Sequence, residues 1–172
     1  MSEFTIRRAD EEDKEEIYRM CVVNICATLR QKELAKFSDD VVTTTPESLR
    51  RDRKFYESFV VEASPNTDAA SKSLIGYALY YYSFSSWDGR SAFLNDIYVC
   101  PKHRGKGIGS TLLKRVAQDV VENGCVLLEW CVLNYNTSAI EFYKSKGAID
   151  LTETDRIHVY RLPTESLEKL AK

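Results

Sequence analysis

The stretch "CPKHRGKGIGSTLLKRV" (residues 100–116) limits most strongly what this chain can fold into. Three glycines at alternate positions, Gly105, Gly107 and Gly109, separate two runs of different period. Before them lies "AFLNDIYVC", rich in residues that favour strands. After them Ile108, Leu112, Leu113, Val116 and Val120 recur at helical spacing until Gly124 closes the run. The next segment, "CVLLEWCVL", is almost continuously apolar, the pattern of a strand covered on both faces. Strand, glycine turn, helix and strand make a βαβ unit, which requires a parallel pair. The glycines let the backbone turn tightly and approach a ligand, and a helix start offers free N–H groups. Together these form an anion site, most often for phosphate.

Two common phosphate loops do not fit. The Walker pattern needs a Lys-Ser/Thr pair directly after its last glycine, whereas Gly109 is followed by Ser110-Thr111. The dinucleotide fingerprint needs G-x-G-x-x-G early in a βαβ unit with an acid after the next strand; here the spacing is G-x-G-x-G, late in the chain. What remains is Arg104-Gly105-Lys106-Gly107-Ile108-Gly109 between strand and helix, with two basic side chains beside the turn.

The first half of the chain has a different rhythm. "FTIRRA" alternates as a strand, and Asp10 is placed to cap a helix whose apolar stripe is Ile17, Met20, Cys21 and Ile25, with an ambiguous end before Phe37. Pro46 opens a short helix to about Arg53. "ESFVVEAS" and "LIGYALYYYSF" read as strands around a polar loop at residues 65–73, and Asp88-Gly89 signals a hairpin turn into the strand before the glycines. After "CVLLEWCVL", Asn136 starts a helix ended by Gly147; "AIDLT" and "RIHVYRL" read as the last strands, with a small helix after Pro163. An antiparallel first half feeding a βαβα second half predicts one mixed α/β domain over residues 1–172, with its ligand beyond the carboxyl ends of the strands.

Composition narrows the function classes. A net charge of −2 gives no global field for nucleic acid or an anionic membrane, so neither is expected as a partner. No apolar run has transmembrane length, and "MSEFTIRRADEED" lacks a signal-peptide core. Cys21, Cys26, Cys100, Cys125 and Cys131 include no CxxC pair and lie in apolar stretches, which reads as buried free thiols and a cytoplasmic location. No His/Cys/Asp spacing fits a metal site.

The loop from Arg104 to Gly109 resembles the R/Q-x-x-G-x-G/A signature of the GCN5-related N-acetyltransferases (GNAT), and "LNYNTSAIEFYKSKGA" (133–148) resembles that family's later "N…A…FY…G" segment. "FTIRRADEED" and "IGYALYYYSFSSW" extend the resemblance over nearly the whole chain. Within the family it is nearest to the diamine (spermidine/spermine) and thialysine acetyltransferases. The fold implied is a mixed sheet of about seven strands whose central parallel strands splay apart, flanked by about four helices.

The activity implied is direct attack of a small primary amine (polyamine, diamine or lysine-like amino acid) on acetyl-CoA, by a homodimer without a metal. On the resemblance, main-chain groups of Ile97, Tyr98 and Val99 meet the pantetheine arm and acetyl carbonyl. Residues Arg104, Gly105, Lys106, Gly107, Ile108, Gly109 and Ser110 take the pyrophosphate. Asn136, Thr137, Ser138 and Ala139 meet the coenzyme from its other side, and Tyr143 is the general acid; the competing reading of Tyr143 is core packing. Asp39 and Asp40 either contact a cationic substrate or cap a helix, and Trp87 either anchors the hairpin or lines the amine pocket. The diamine enzymes carry Leu-Glu-Asp before the glycine loop where this chain has Leu94-Asn95-Asp96. Asn95 holds a water but does not usefully take a proton. The relay is therefore expected at Glu129, partly buried at the splay, with Asp96 as the runner-up on the strand face opposite Asn95; the competing reading of Glu129 is an ion pair at a dimer or helix contact. Two other functions remain in competition: acetylation of a protein or peptide, and a non-catalytic acyl-CoA-binding module.

Overall fold

Arg7 and Asp13 fix how the chain leaves its first strand. The Arg7 guanidinium donates two hydrogen bonds to the Asp13 carboxylate (2.6 and 2.8 Å) and a third from Nε to Glu62 (2.8 Å). Asp13 in turn accepts the Asp10 N–H at 2.8 Å, while the Asp10 carboxylate accepts from Glu12 N–H (3.0 Å) and Asp13 N–H (3.3 Å). Reciprocal capping of this kind satisfies helix-start donors that would otherwise be orphaned. The computed structural model describes residues 4–31, 44–64, 73–154 and 162–171.

The chain divides into two units, Met1–Cys131 and Val132–Lys172. The first contains β1 (Phe4–Arg8), α1 (Lys14–Gln31), α2 (Pro46–Arg51), β2 (Glu57–Ala63), β3 (Leu74–Ser85), β4 (Gly89–Val99), α3 (Ile108–Glu122) and β5 (Leu127–Glu129). Its strands lie in the order β1-β2-β3-β4-β5, antiparallel from β1 to β4, with β5 parallel to β4.

The two long helices cover opposite faces of this sheet. Tyr77 packs in a core with Ile17 and Met20 of α1, Leu49 of α2, and Val60, Leu74, Leu79 and Tyr98. Tyr80, three residues along the same strand and so on the other face, donates to Asp119 of α3 at 2.5 Å. Asp119, 2% exposed, also accepts from Tyr82 at 2.7 Å and from Arg8. The helical stripe read from the sequence is the buried face of α3: Ile108, Leu112, Leu113, Val116 and Val120.

The second unit holds α4 (Thr137–Lys144), α5 (Leu151–Thr154) and α6 (Thr164–Leu170). Here one expectation is corrected. "AIDLT" is not a strand: Leu151–Thr154 is helical, and the Asp150 carboxylate accepts the Thr152 N–H at 3.1 Å, a local bond that starts a turn rather than a ladder. Most of "RIHVYRL" lies outside the described residues, so the sheet has five described strands where seven were expected. Short α2 and α5 raise the helices above the four expected.

"CVLLEWCVL" is also corrected. Only Leu127–Glu129 pairs as strand, and Leu127 and Glu129 are exposed rather than buried on both faces. Among the described residues β5 is the sheet's last strand, so one edge has no neighbour, and its partner β4 turns away after three pairs.

Candidate active site

β5 matches β4 at Ser91↔Leu127, Ala92↔Leu128 and Phe93↔Glu129 and no further. One residue later the β3–β4 register slips: Tyr80 faces Leu94, but Leu79 faces Asp96. Asn95 is the extra residue, a β-bulge that bends its strand and increases its twist. From Leu94 to Val99 the β4 edge away from β3 therefore has no strand partner among the described residues. Backbone groups on such an edge are free to pair with an extended ligand.

The bulge also moves Asp96 off the face that simple alternation from Phe93 would give it. The Tyr81 and Phe93 rings lie 5.5 Å apart on one face, and Asp96 opposite Leu79 shares that face although it is three residues from Phe93. The inserted residue absorbs the odd step. Asn95 is exposed, whereas Asp96 is half-buried and accepts from Asn24 Nδ2 of α1 at 3.5 Å. Burial pushes the Asp96 carboxyl above the usual carboxylate range, and the Asn24 hydrogen bond opposes that shift. Beside it the Tyr77 hydroxyl is fully buried without a well-formed hydrogen bond, and burial pushes the Cys21 thiol up to about 11.

At the end of β4 the chain makes a 3-10 turn (Pro101–His103) and enters the glycine loop. Gly105 and Gly107 have φ of 76° and 78°, in the region that disfavours a side chain. A Cβ at either would meet nothing within 4 Å, so open space lies over the loop. Gly107 caps α3 without a side-chain hydrogen bond, leaving the first N–H groups of the helix to whatever approaches. Ile108 is 3% exposed and anchors the turn in the core, so only its backbone faces the loop. Arg104 Nε donates to the Val99 carbonyl at 2.9 Å, and its guanidinium lies 5.8 Å from the centre of the Tyr98 ring. Lys102, Arg104 and Lys106 are exposed around this helix start, an electropositive setting for an anion. Uncapped N–H groups, open space above two left-handed glycines and an unpaired strand edge together fit a long phosphate-bearing ligand such as acetyl-CoA.

In the second unit Asn136 caps α4: its Oδ1 accepts from Ala139 N–H (3.3 Å) and from Ser138 Oγ (3.2 Å). Tyr143 is half-buried with its ring edge-on to Phe142, centres 5.3 Å apart.

Several expected site residues stand elsewhere. Glu129 is exposed, so the partial burial that favoured it as the relay is absent. Trp87, 93% exposed, sits in the β3–β4 turn where Ser85 pairs with Gly89, at the opposite end of β4 from the glycine loop. Asp39 and Asp40 lie outside the described residues. Cys131 is exposed rather than buried, whereas Cys125 is buried as expected; both are free thiols. Asn24 was not among the residues the sequence singled out, although it lies one heptad after Ile17 and so marks a polar residue on an apolar stripe. The described residues contain no cluster fit to hold a metal ion, and no described helix is long and apolar enough to cross a membrane.

This geometry agrees with the comparisons to known proteins. The profile of the Acetyltransferase (GNAT) family matches residues 26–148, and the chain belongs to that family, whose acetyl donor is acetyl-CoA. Thialysine N-epsilon-acetyltransferase of Sus scrofa is 37% identical over 178 residues, covering 99% of each chain. The Mus musculus protein of the same name is 36% identical with the same coverage. Spermidine/spermine N(1)-acetyltransferase-like protein 1 of Homo sapiens is 30% identical over 99% of this chain and 24% of its own length. Among solved structures, an integron cassette protein of V. cholerae superposes with a TM-score of 0.69 at 23% identity, covering 100% of this chain and 99% of its own. A possible acetyltransferase of Clostridium difficile 630 gives 0.70 at 19% identity over 95% and 99%. These two show the fold. The chain is an N-acetyltransferase.

Proposed function

We propose that this enzyme transfers the acetyl group of acetyl-CoA to a primary amine of a small cationic substrate, a lysine-like amino acid such as thialysine or a diamine or polyamine. The observation that carries the reading is Asp96: a half-buried carboxylate at the bulge of β4, beside an open strand edge and on the strand that leads into the glycine loop. A buried carboxylate needs a partner, and an ammonium supplies one. The relatives named for thialysine and for spermidine/spermine support the same substrate class.

Acetyl-CoA supplies a thioester whose carbonyl carbon accepts the amine. N–H groups from Gly105 to Ser110 hold its pyrophosphate, and main-chain groups of Ile97, Tyr98 and Val99 align its arm along the unpaired edge. Thr137, Ser138 and Ala139, at the start of the helix that Asn136 caps, meet the coenzyme too. Asp96 holds the substrate ammonium and, with a water on Asn95, takes the first proton from nitrogen and passes it to solvent, which frees the amine to attack. The second proton leaves nitrogen once the N–C bond has formed and returns through water to restore the Tyr143 hydroxyl. Glu129 serves as an exposed charge that attracts cations, and Asp39 and Asp40 are assigned to the outer part of the amine site, whereas Trp87, at the far end of β4, is left to the hairpin. As the N–C bond forms and the C–S bond breaks, the Tyr143 hydroxyl gives its proton to the departing sulfur.

A homodimer in the cytoplasm completes the reading. Phe84 and Trp87 on the β3–β4 hairpin, 76% and 93% exposed, support the first, and the free thiols support the second. The test is mass detection of acetylated product after incubation with acetyl-CoA and thialysine, lysine, spermidine, putrescine or a histone-tail peptide. Acetylation of one or more small amines, well ahead of the peptide, is expected. Peptide alone as the acetylated product replaces this reading with protein acetylation, and no product from any of them refutes it.

A further inference from the structure

The polar cell under α1 contains more than the carboxylate. Asn24 reaches from α1 across to β4 and donates its side-chain amide to Asp96 Oδ1 at 3.5 Å. Met20, one turn earlier, and Ile17, two turns earlier, are both 1% exposed, so Asn24 extends a core-facing stripe as an amide. Burying an amide among apolar residues costs free energy unless it gains a hydrogen bond, and Asp96 supplies the acceptor. Among the described residues, the other ionisable groups facing the carboxylate are Cys21 from α1 and Tyr77 from β3. Burial holds both neutral near physiological pH: the Cys21 thiol is pushed up to about 11, and the Tyr77 phenol is also raised. Neither supplies a positive charge. Of the groups that act on the Asp96 carboxyl, burial favours the protonated form and the Asn24 amide favours the ionised one.

We propose that Asn24 is a positioning residue for Asp96: its amide, carried by α1 to the bulged end of β4, keeps the carboxylate ionised and oriented toward the substrate ammonium. The proposal rests on the reading that Asp96 engages the amine. At 3.5 Å the bond is long, as such bonds often are before substrate is present, and it has room to shorten as the ammonium settles. Because the donor belongs to α1, the environment of the carboxylate is set by a helix 72 residues away from it in sequence.

The test compares kcat/KM for thialysine against pH in wild type, Asn24→Leu and Asp96→Asn. Each variant's value is divided by that of wild type, so that the substrate's own ionisation cancels. Without the amide the ionised carboxylate loses its stabilising partner and its pKa rises, so the active form is lost at a higher pH. The Asn24→Leu ratio should therefore fall as pH is lowered, by up to about tenfold for each pK unit moved, while Asp96→Asn is low throughout. Asn24→Gln should recover part of the loss at low pH. A flat Asn24→Leu ratio beside an impaired Asp96→Asn overturns the role of Asn24 and leaves Asp96 standing. An Asp96→Asn enzyme equal to wild type overturns both. If Asn24→Leu does not accumulate as folded protein, Asn24→Ser, which lacks the reach to Asp96, takes its place: a ratio that falls with pH supports the role of Asn24, and a flat one overturns it.

Discussion

Replacing Gly107 by alanine separates two effects that the glycine loop combines. Gly107 has φ 78°, ψ −2°, and a Cβ there meets no atom within 4 Å. There is no clash to relieve, so the folded protein loses only the left-handed backbone penalty, about 1–2 kcal/mol. Alanine also restricts the unfolded chain, which returns about 0.4–1 kcal/mol. The net loss is about 1 kcal/mol, or a Tm lower by about 2–4 °C for a chain of this size. Coenzyme binding should suffer more, because the open space over the loop is where the pyrophosphate is proposed to lie. A Kd for acetyl-CoA raised by about tenfold or more is expected from calorimetry, and valine should do greater damage. Gly124 is the matched control: its φ is 71°, a Cβ there also meets nothing within 4 Å, and it lies at the other end of α3. Gly124→Ala should show a similar loss of Tm with acetyl-CoA affinity unchanged. If Gly107→Ala binds the coenzyme as tightly as Gly124→Ala does, the α3 N-terminus is not the phosphate site.

Tyr143→Phe keeps the ring and removes the proton, so kcat should fall by roughly 10- to 1,000-fold in steady-state assays with little change in acetyl-CoA affinity; full turnover would return Tyr143 to a packing role. Asp96→Asn should be more thermostable than wild type near neutral pH yet less active. The sign follows from its raised carboxyl: stability is present at low pH and declines as pH rises through the folded pKa, and the amide removes that titration. Glu129→Gln, at an exposed position, should cost less kcat/KM than Asp96→Asn; the reverse order would restore the relay to β5. Asp119→Ala strips the acceptor from the Tyr80 and Tyr82 hydroxyls and from Arg8, and should lower stability in urea by about 3–5 kcal/mol. Cys131, exposed, should react with a thiol reagent at neutral pH before buried Cys125 and before Cys21, whose thiol is pushed up to about 11.

Features that depend on local pattern were legible in the residues. The α3 stripe, the left-handed glycines at its start and end, the Asp10 cap and the Asn136 cap are each written within one or two helical turns. Features set by distant partners were not. "CVLLEWCVL" has the composition of a covered strand, but its pairing ends where β4 bulges, and nothing in its own nine residues encodes Asn95. Simple alternation from Phe93 puts Asp96 on the wrong face, because composition does not mark which residue a bulge inserts. The burial that separates Asp96 from Glu129 comes with α1, whose Asn24 is 72 residues from Asp96 in sequence. Asp150 turned an apparent strand into a helical turn through one side-chain bond.

The central claim is direct transfer from acetyl-CoA to a small amine with both bound at once. Initial rates of coenzyme A release, with acetyl-CoA and thialysine varied together, test it most directly. The account predicts release that requires the amine and reciprocal plots that intersect, the pattern of a ternary complex. Parallel lines, which report an acetylated enzyme formed before the amine arrives, or a release rate indifferent to the amine, would contradict it.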